Sequence, residues 1–170
     1  PKCSPSRCSI LTGRSTARNS FTNTDNNINT GKLLIEATTQ TELDGNDTTY
    51  AEWLKDTGLN YRTAHFGKWH LGQNQTSNPS SNGFDFNDGA TSNADGNNGG
   101  DIAQTDPKKI FDLTTRSIDF ITTAVNENVP FFLQLSHYAV HKDIEARQET
   151  IDLYNNPATR PSGGVHTEAE

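Results

Sequence analysis

The residues best suited to chemistry stand together at the start of the sequence, in Lys2-Cys-Ser-Pro-Ser-Arg-Cys-Ser-Ile-Leu-Thr-Gly-Arg14. Ser4-Pro5 has the form of an N-cap followed by proline at the first helical position, and Gly13 supplies a stop. Together they predict a helix over roughly 5–12. Cys3 then sits just ahead of a helix start, where unpaired backbone N–H groups and the positive end of the macrodipole favour an anion. Arg7, one turn along, brings a guanidinium to the same spot. A thiol placed there can act as a nucleophile. The plainer alternative is a small half-buried cysteine beside a surface arginine.

A second group follows in Gly58-Leu-Asn-Tyr-Arg-Thr-Ala-His-Phe-Gly-Lys-Trp-His-Leu-Gly72. A strand over 61–66 leaves Lys68 and His70 just past its end, where α/β sheets gather ligands. Alternation sends both side chains to one side and Trp69 to the other, provided the backbone stays extended. A lysine and a histidine converging on one spot suit an anionic group and a proton transfer. Taken alone, they read more readily as a solvated lysine and a hydrogen-bonded loop histidine. His65 lies within the strand and is read as structural.

The third group is Pro130-Phe-Phe-Leu-Gln-Leu-Ser-His-Tyr-Ala-Val-His141, an apolar run suited to a buried strand that leads into two histidines, His137 and His141.

The elements that must position these residues are legible between them. Thr49 and Glu52 have capping-box spacing, and Tyr50, Trp53 and Leu54 carry a helical period that Gly58 closes. Asp106-Pro107 opens a further helix, with Ile110, Leu113 or Thr114, Ile118 or Ser117, Ile121 and Val125 on one stripe, and Pro130 ends it. The stretches 19–30 and 73–100 are polar and without period, the second a long loop excursion broken only by Gly83-Phe-Asp-Phe86. The order helix, strand, loop, helix, strand predicts an α/β fold: a largely parallel central sheet flanked by helices.

Composition narrows the partners. The hydrophobic set is 31% and glycine adds 13 of 170 residues, below the roughly 45–50% usual for a globular domain. Long polar insertions, or a piece of a larger domain, both explain the deficit. The net charge of −7 with no Lys/Arg cluster argues against nucleic acid as a partner. No apolar run approaches the roughly 18 residues of a membrane segment. Two cysteines, Cys3 and Cys8, make neither a disulfide framework nor a zinc site.

Cys3-Ser-Pro-Ser-Arg7 followed by Leu11-Thr-Gly-Arg14 resembles the first signature of the type I sulfatases, with its Cys-x-Pro-x-Arg core. Gly67-Lys-Trp-His-Leu-Gly72 resembles the second, and the strand leading to Ala139-Val-His141 resembles a third family segment, usually spelled Ala-Pro-His. Gly83-Phe-Asp-Phe-Asn-Asp-Gly89 is similar to the loop between them, so the resemblance runs from Lys2 to about His141.

The resemblance implies an alkaline-phosphatase-like sulfatase domain that hydrolyses aryl or carbohydrate sulfate esters. Cys3 would be oxidised to 3-oxoalanine (formylglycine) by a formylglycine-generating enzyme or an anaerobic maturase. The modified residue would be the nucleophile and would also touch a Ca²⁺ ion. Arg7 and Lys68 would stabilise it and the sulfate, His70 would be the base, and His141 would contact the substrate at the leaving oxygen. His137 is the competing candidate for that last role.

The family also implies secretion or a periplasmic location. Two alternatives stay open: a phosphonate or phosphate monoester hydrolase of the same superfamily, and a binder of sulfated glycans without turnover. The remaining calcium ligands of the family match nothing in this sequence: Asp143 and Asp152-Leu-Tyr-Asn155 depart from its Asp-Asn-Gly spelling. Residues 1–170 are therefore expected to be part of a larger sulfatase domain, with 162–170 opening a further loop.

Overall fold

A computed structural model describes residues 2–24, 38–96, 105–141 and 143–159. The expected loop over 162–170, and the later parts of the stretches 19–30 and 73–100, lie outside the described residues.

The first helix, α1 (Cys3–Thr12), starts earlier than its sequence suggests. Lys2 occupies the N-cap position without a side-chain capping bond, and Ser4 is buried inside the first turn rather than capping it. Pro5 is tolerated there because first-turn N–H groups have no helical partner anyway. Gly13 ends the helix in the left-handed conformation, its N–H donating to the Ser9 carbonyl at 2.9 Å. A short α2 (Thr16–Asn19) follows. The capping box of α3 (Tyr50–Asp56) forms as spelled: the Thr49 hydroxyl accepts from Glu52 N–H at 3.2 Å, and the Glu52 carboxylate accepts from Thr49 N–H at 2.8 Å.

Among the described residues three strands make one parallel sheet in the order β2–β1–β3, with β1 (Arg62–Gly67) in the middle. β3 (Phe131–Ser136) runs beside it with His65 opposite Gln134 and Gly67 opposite Ser136. The third strand, β2 (Phe86–Asn87), comes from inside the polar stretch 73–100. That stretch is more than a surface loop, since Ser77, Pro79, Asn82 and Phe84 are also buried. β3 is half-buried along its whole length rather than fully buried, because among the described residues it is an outer strand paired only with β1.

The two sheet faces carry separate cores. Beneath α1 and α3 lie Cys8, Leu11, Phe21, Leu43, Ala51, Trp69, Leu71 and Phe84, with Phe132 packed against them. The opposite face packs Ala64 and Phe66 against Leu113 and Phe120 of α4 (Ile110–Asn126). The buried stripe of α4 is Leu113, Ser117, Phe120 and Ala124, whereas Ile118 and Val125 are exposed. Small Ser117 and Ala124 let the helix approach the sheet, and the Ser117 hydroxyl is satisfied by the Leu113 carbonyl at 2.7 Å. The chain reaches α4 through left-handed Lys108 and Lys109 rather than directly from Pro107. Asp106 still serves the helix start, accepting from the N–H groups of Phe111 at 2.8 Å and Asp112 at 3.0 Å. A last helix, α5 (Gln148–Asn155), has no counterpart in the sequence reading.

Candidate active site

The C-terminal end of β1 meets the first turn of α1. Gly67 makes this junction possible: its φ is +91°, and a Cβ there would stand 2.1 Å from the Ser136 carbonyl oxygen. Lys68 N–H then donates to that same carbonyl at 2.8 Å, fixing the chain as it leaves the sheet. Thr91 holds the next residues: its hydroxyl donates to the Gly67 carbonyl at 2.6 Å and accepts from Trp69 N–H at 3.0 Å. Its own carbonyl accepts from His70 N–H at 2.8 Å. His70 is itself left-handed, with φ +60°, so the extended geometry assumed from alternation ends there. Trp69 is buried in the α1-side core with Cys8 and Leu11, and Lys68 and His70 both reach the first turn of α1, so all three side chains lie toward α1 rather than dividing between two sides.

Four of the five singled-out side chains converge on this turn. Lys68 Nζ donates to Cys3 Sγ at 3.2 Å and to the Asn93 side-chain oxygen. The Arg7 guanidinium, on the same helix face as Cys3, donates through Nη1 to the Lys68 carbonyl. His70 Nδ1 lies 3.3 Å from the Ser4 hydroxyl. His141 is half-buried, its N–H donating to the Tyr138 carbonyl at 3.2 Å, and its charge acts on His70. His137, by contrast, is exposed.

Electrostatics follow from this crowding. Burial holds the Lys68 ammonium below its ordinary basicity, with Cys3 opposing that trend and Arg7 adding to it. Burial likewise lowers Arg7. His70 falls to about 4, first through burial and then through the charges of Lys68, Arg7 and His141. Its imidazole is therefore neutral at ordinary pH and can accept a proton. Cys8 is a core residue: it is buried, its thiol is pushed up to about 11 by burial, and it accepts from the Asn19 amide at 3.0 Å. Both cysteines are free.

Asn93, Thr91, Tyr138 and Ser4 belong to the same constellation and were not singled out from sequence as site residues. Thr91 and Asn93 sit in a stretch with no apolar period to mark them. Tyr138 is buried between the two candidate histidines, and its hydroxyl is raised by burial.

The end of the central strand of a parallel α/β layer thus carries a thiol, two cations and a neutral imidazole, a set whose charges could receive an anionic group. The family model described as Sulfatase matches residues 1–159, and the chain belongs to that family. Arylsulfatase G of Rattus norvegicus is 43% identical over 84 residues, which cover 49% of this chain and 14% of that protein. N-acetylgalactosamine-6-sulfatase of Canis lupus familiaris is 37% identical over 89 residues, 50% of this chain and 16% of that protein. The crystal structure of Ps i-CgsB in complex with k-i-k-neocarrahexaose superposes with a TM-score of 0.63 at 21% identity, over 94% of this chain and 39% of that one. At that identity the likeness speaks for the fold: the alkaline-phosphatase-like α/β layer of the sulfatases, in part. The chain thus spans well under half the length of the proteins it matches.

Proposed function

We propose that these residues form part of the active site of a sulfuric ester hydrolase acting on an aryl or carbohydrate sulfate. The observation that carries this reading is the 3.2 Å contact between Lys68 Nζ and Cys3 Sγ, with Arg7 anchored on the Lys68 carbonyl. The Sγ marks where the reactive atom of residue 3 stands. Matured to 3-oxoalanine by a formylglycine-generating enzyme or an anaerobic maturase, residue 3 supplies an aldehyde whose hydrate is an oxygen nucleophile toward sulfur.

The other residues act around that atom. Lys68, which is buried, and half-buried Arg7 place two cations at the nucleophile and the sulfate oxygens. Asn93 orients the Lys68 ammonium. Once sulfur has moved from the alcohol oxygen to one oxygen of the hydrate, neutral His70 takes the proton of the remaining hydroxyl, the C–O bond to sulfate breaks and the aldehyde re-forms. His141, rather than exposed His137, gives a hydrogen bond or a proton to the departing alcohol oxygen.

Calcium is a separate matter. Among the described residues, no three His, Cys, Asp or Glu side chains converge as a metal shell. Residue 3 alone is at most one ligand, so these residues do not make a calcium site, and no step above runs through the ion. The family's calcium would need ligands from other parts of the full-length protein.

No helix among the described residues is long and apolar enough to cross a membrane. Secretion or a periplasmic location is proposed by analogy with the family. The test is a panel of aryl sulfates, aryl phosphates and phosphonates on the full-length protein. Preferential sulfate hydrolysis supports the reading, preference for phosphorus esters favours the related hydrolase, and binding of sulfated glycans without turnover favours the binder.

A further inference from the structure

Five buried side-chain atoms among the described residues lack a hydrogen-bond partner, and four of them belong to Arg7, His65 and Gln134. They are Nε of Arg7, both ring nitrogens of His65 and Oε1 of Gln134, the fifth being Ser9 Oγ. His65 and Gln134 are paired in register across β1 and β3, so their side chains leave the same face of the sheet. That face lies under α1, because Phe132, two residues before Gln134, packs on Tyr50 and the α1-side core. Arg7 and Gln134 line one cavity with Cys3. The Arg7 charge also acts on the His65 ring, which puts the guanidinium within electrostatic reach of it.

The unmatched atoms are complementary. Arg7 Nε carries a donor only, and Gln134 Oε1 is an acceptor only. A neutral imidazole offers one donor and one acceptor on its two nitrogens. The amide of Gln134 is already oriented by its NH₂ group, which donates to the Ser136 hydroxyl at 3.2 Å and leaves Oε1 as the open acceptor. His65 itself is enclosed, with the Trp69 ring at 5.1 Å and the Phe84 ring at 5.5 Å. Buried polar groups left unpaired are costly enough to be rare.

We propose that Arg7, His65 and Gln134 form a hydrogen-bonded relay beneath the nucleophile helix. Arg7 Nε–H donates to one nitrogen of neutral His65, and the other ring N–H donates to Gln134 Oε1, each contact made directly or through one water. The guanidinium is then held from two sides, by the relay at Nε and by the Lys68 carbonyl at Nη1. His65 becomes a positioning residue: it touches no reacting atom, but fixes the cation that does. Neither phenylalanine nor leucine can connect a donor to an acceptor in this way.

Two measurements on the full-length protein test the relay, and the first does not depend on activity. Nitrogen-15 spectra of the His65 ring at neutral pH should show a single neutral tautomer, and Gln134→Leu should redistribute it. A mixed-tautomer ring, or one unchanged by Gln134→Leu, overturns the relay. The second measurement rests on the sulfatase reading. His65→Phe should lower kcat about tenfold with KM changed less than about twofold, and His65→Gln, which retains a donor and an acceptor, should recover most of the loss. A folded His65→Phe with unchanged kcat, or a His65→Gln equally impaired, overturns it. If His65→Phe does not fold, Gln134→Leu takes its place, and kcat equal to wild type is the contrary result. Absence of sulfate ester hydrolysis in the wild type would sink the sulfatase reading, while the ring spectra would still decide the relay.

Discussion

Lys68 Nζ and Cys3 Sγ, 65 positions apart in the chain, stand 3.2 Å from each other. The contact joins the end of the central strand to the start of the first helix, and Arg7 closes it from the other side by donating to the Lys68 carbonyl. Lys68→Ala in the full-length enzyme should lower kcat by roughly 10²–10³, the range for removing one electrostatic donor from a reacting centre. Steady-state kinetics on an aryl sulfate checks this, and a loss below about threefold would remove Lys68 from the site.

His65 gives the fold a pH dependence. Burial and the Arg7 charge lower its basicity to about 4 from an ordinary 6.5. Between those values the unfolded chain binds a proton that the native ring refuses, so stability is full above 6.5 and falls as pH falls toward 4. For an enclosed ring the loss is on the order of 3 kcal/mol. His70 moves in the same direction but is half exposed and adds less. Denaturant titrations across this window should show the decline, and His65→Phe should flatten it. An unchanged slope in that variant would mean that His65 is not the group responsible.

His141 and His137 are separable by leaving group. His141→Ala should harm esters of poor leaving groups far more than activated aryl sulfates, because only the former need a proton on the departing oxygen. His137→Ala should leave that pattern intact. The reverse outcome would hand the role to His137 despite its exposure.

Calcium should do nothing for these 170 residues taken alone. With no converging carboxylates among the described residues, millimolar calcium has no shell to enter, and the melting temperature of the isolated chain should not rise. A rise of several degrees would require carboxylate ligands that the described residues do not bring together.

Spacing brought Cys3 together with Arg7, one helical turn apart, and Lys68 with His70, on either side of Trp69 just after a strand, but the resemblance to the sulfatase signatures is what favoured them over the plainer readings and picked out His141. The apolar pattern likewise located α3, β1 and β3. Where the reading slipped, tertiary packing outweighed local preference. Ser4 looked like a cap and became a buried partner of His70. On α4 the sheet took Ser117, the alternative offered to Ile118, and Ala124 in place of the more hydrophobic Val125, since small residues allow close approach. Thr91 and Asn93 were hidden for another reason. Their places are set by single hydrogen bonds to Gly67, Trp69, His70 and Lys68, and such bonds leave no period in a sequence.

The central claim is that residue 3 is the nucleophile, in its oxidised form. The direct measurement is mass spectrometry of the peptide containing residue 3, from full-length protein made in its native host, together with capture by an aldehyde-specific hydroxylamine probe. The account predicts a 3-oxoalanine at residue 3, labelled by the probe, and no labelling or turnover in Cys3→Ala. A protein that hydrolyses sulfate esters with an unmodified thiol at residue 3, or that retains turnover in Cys3→Ala, would contradict it.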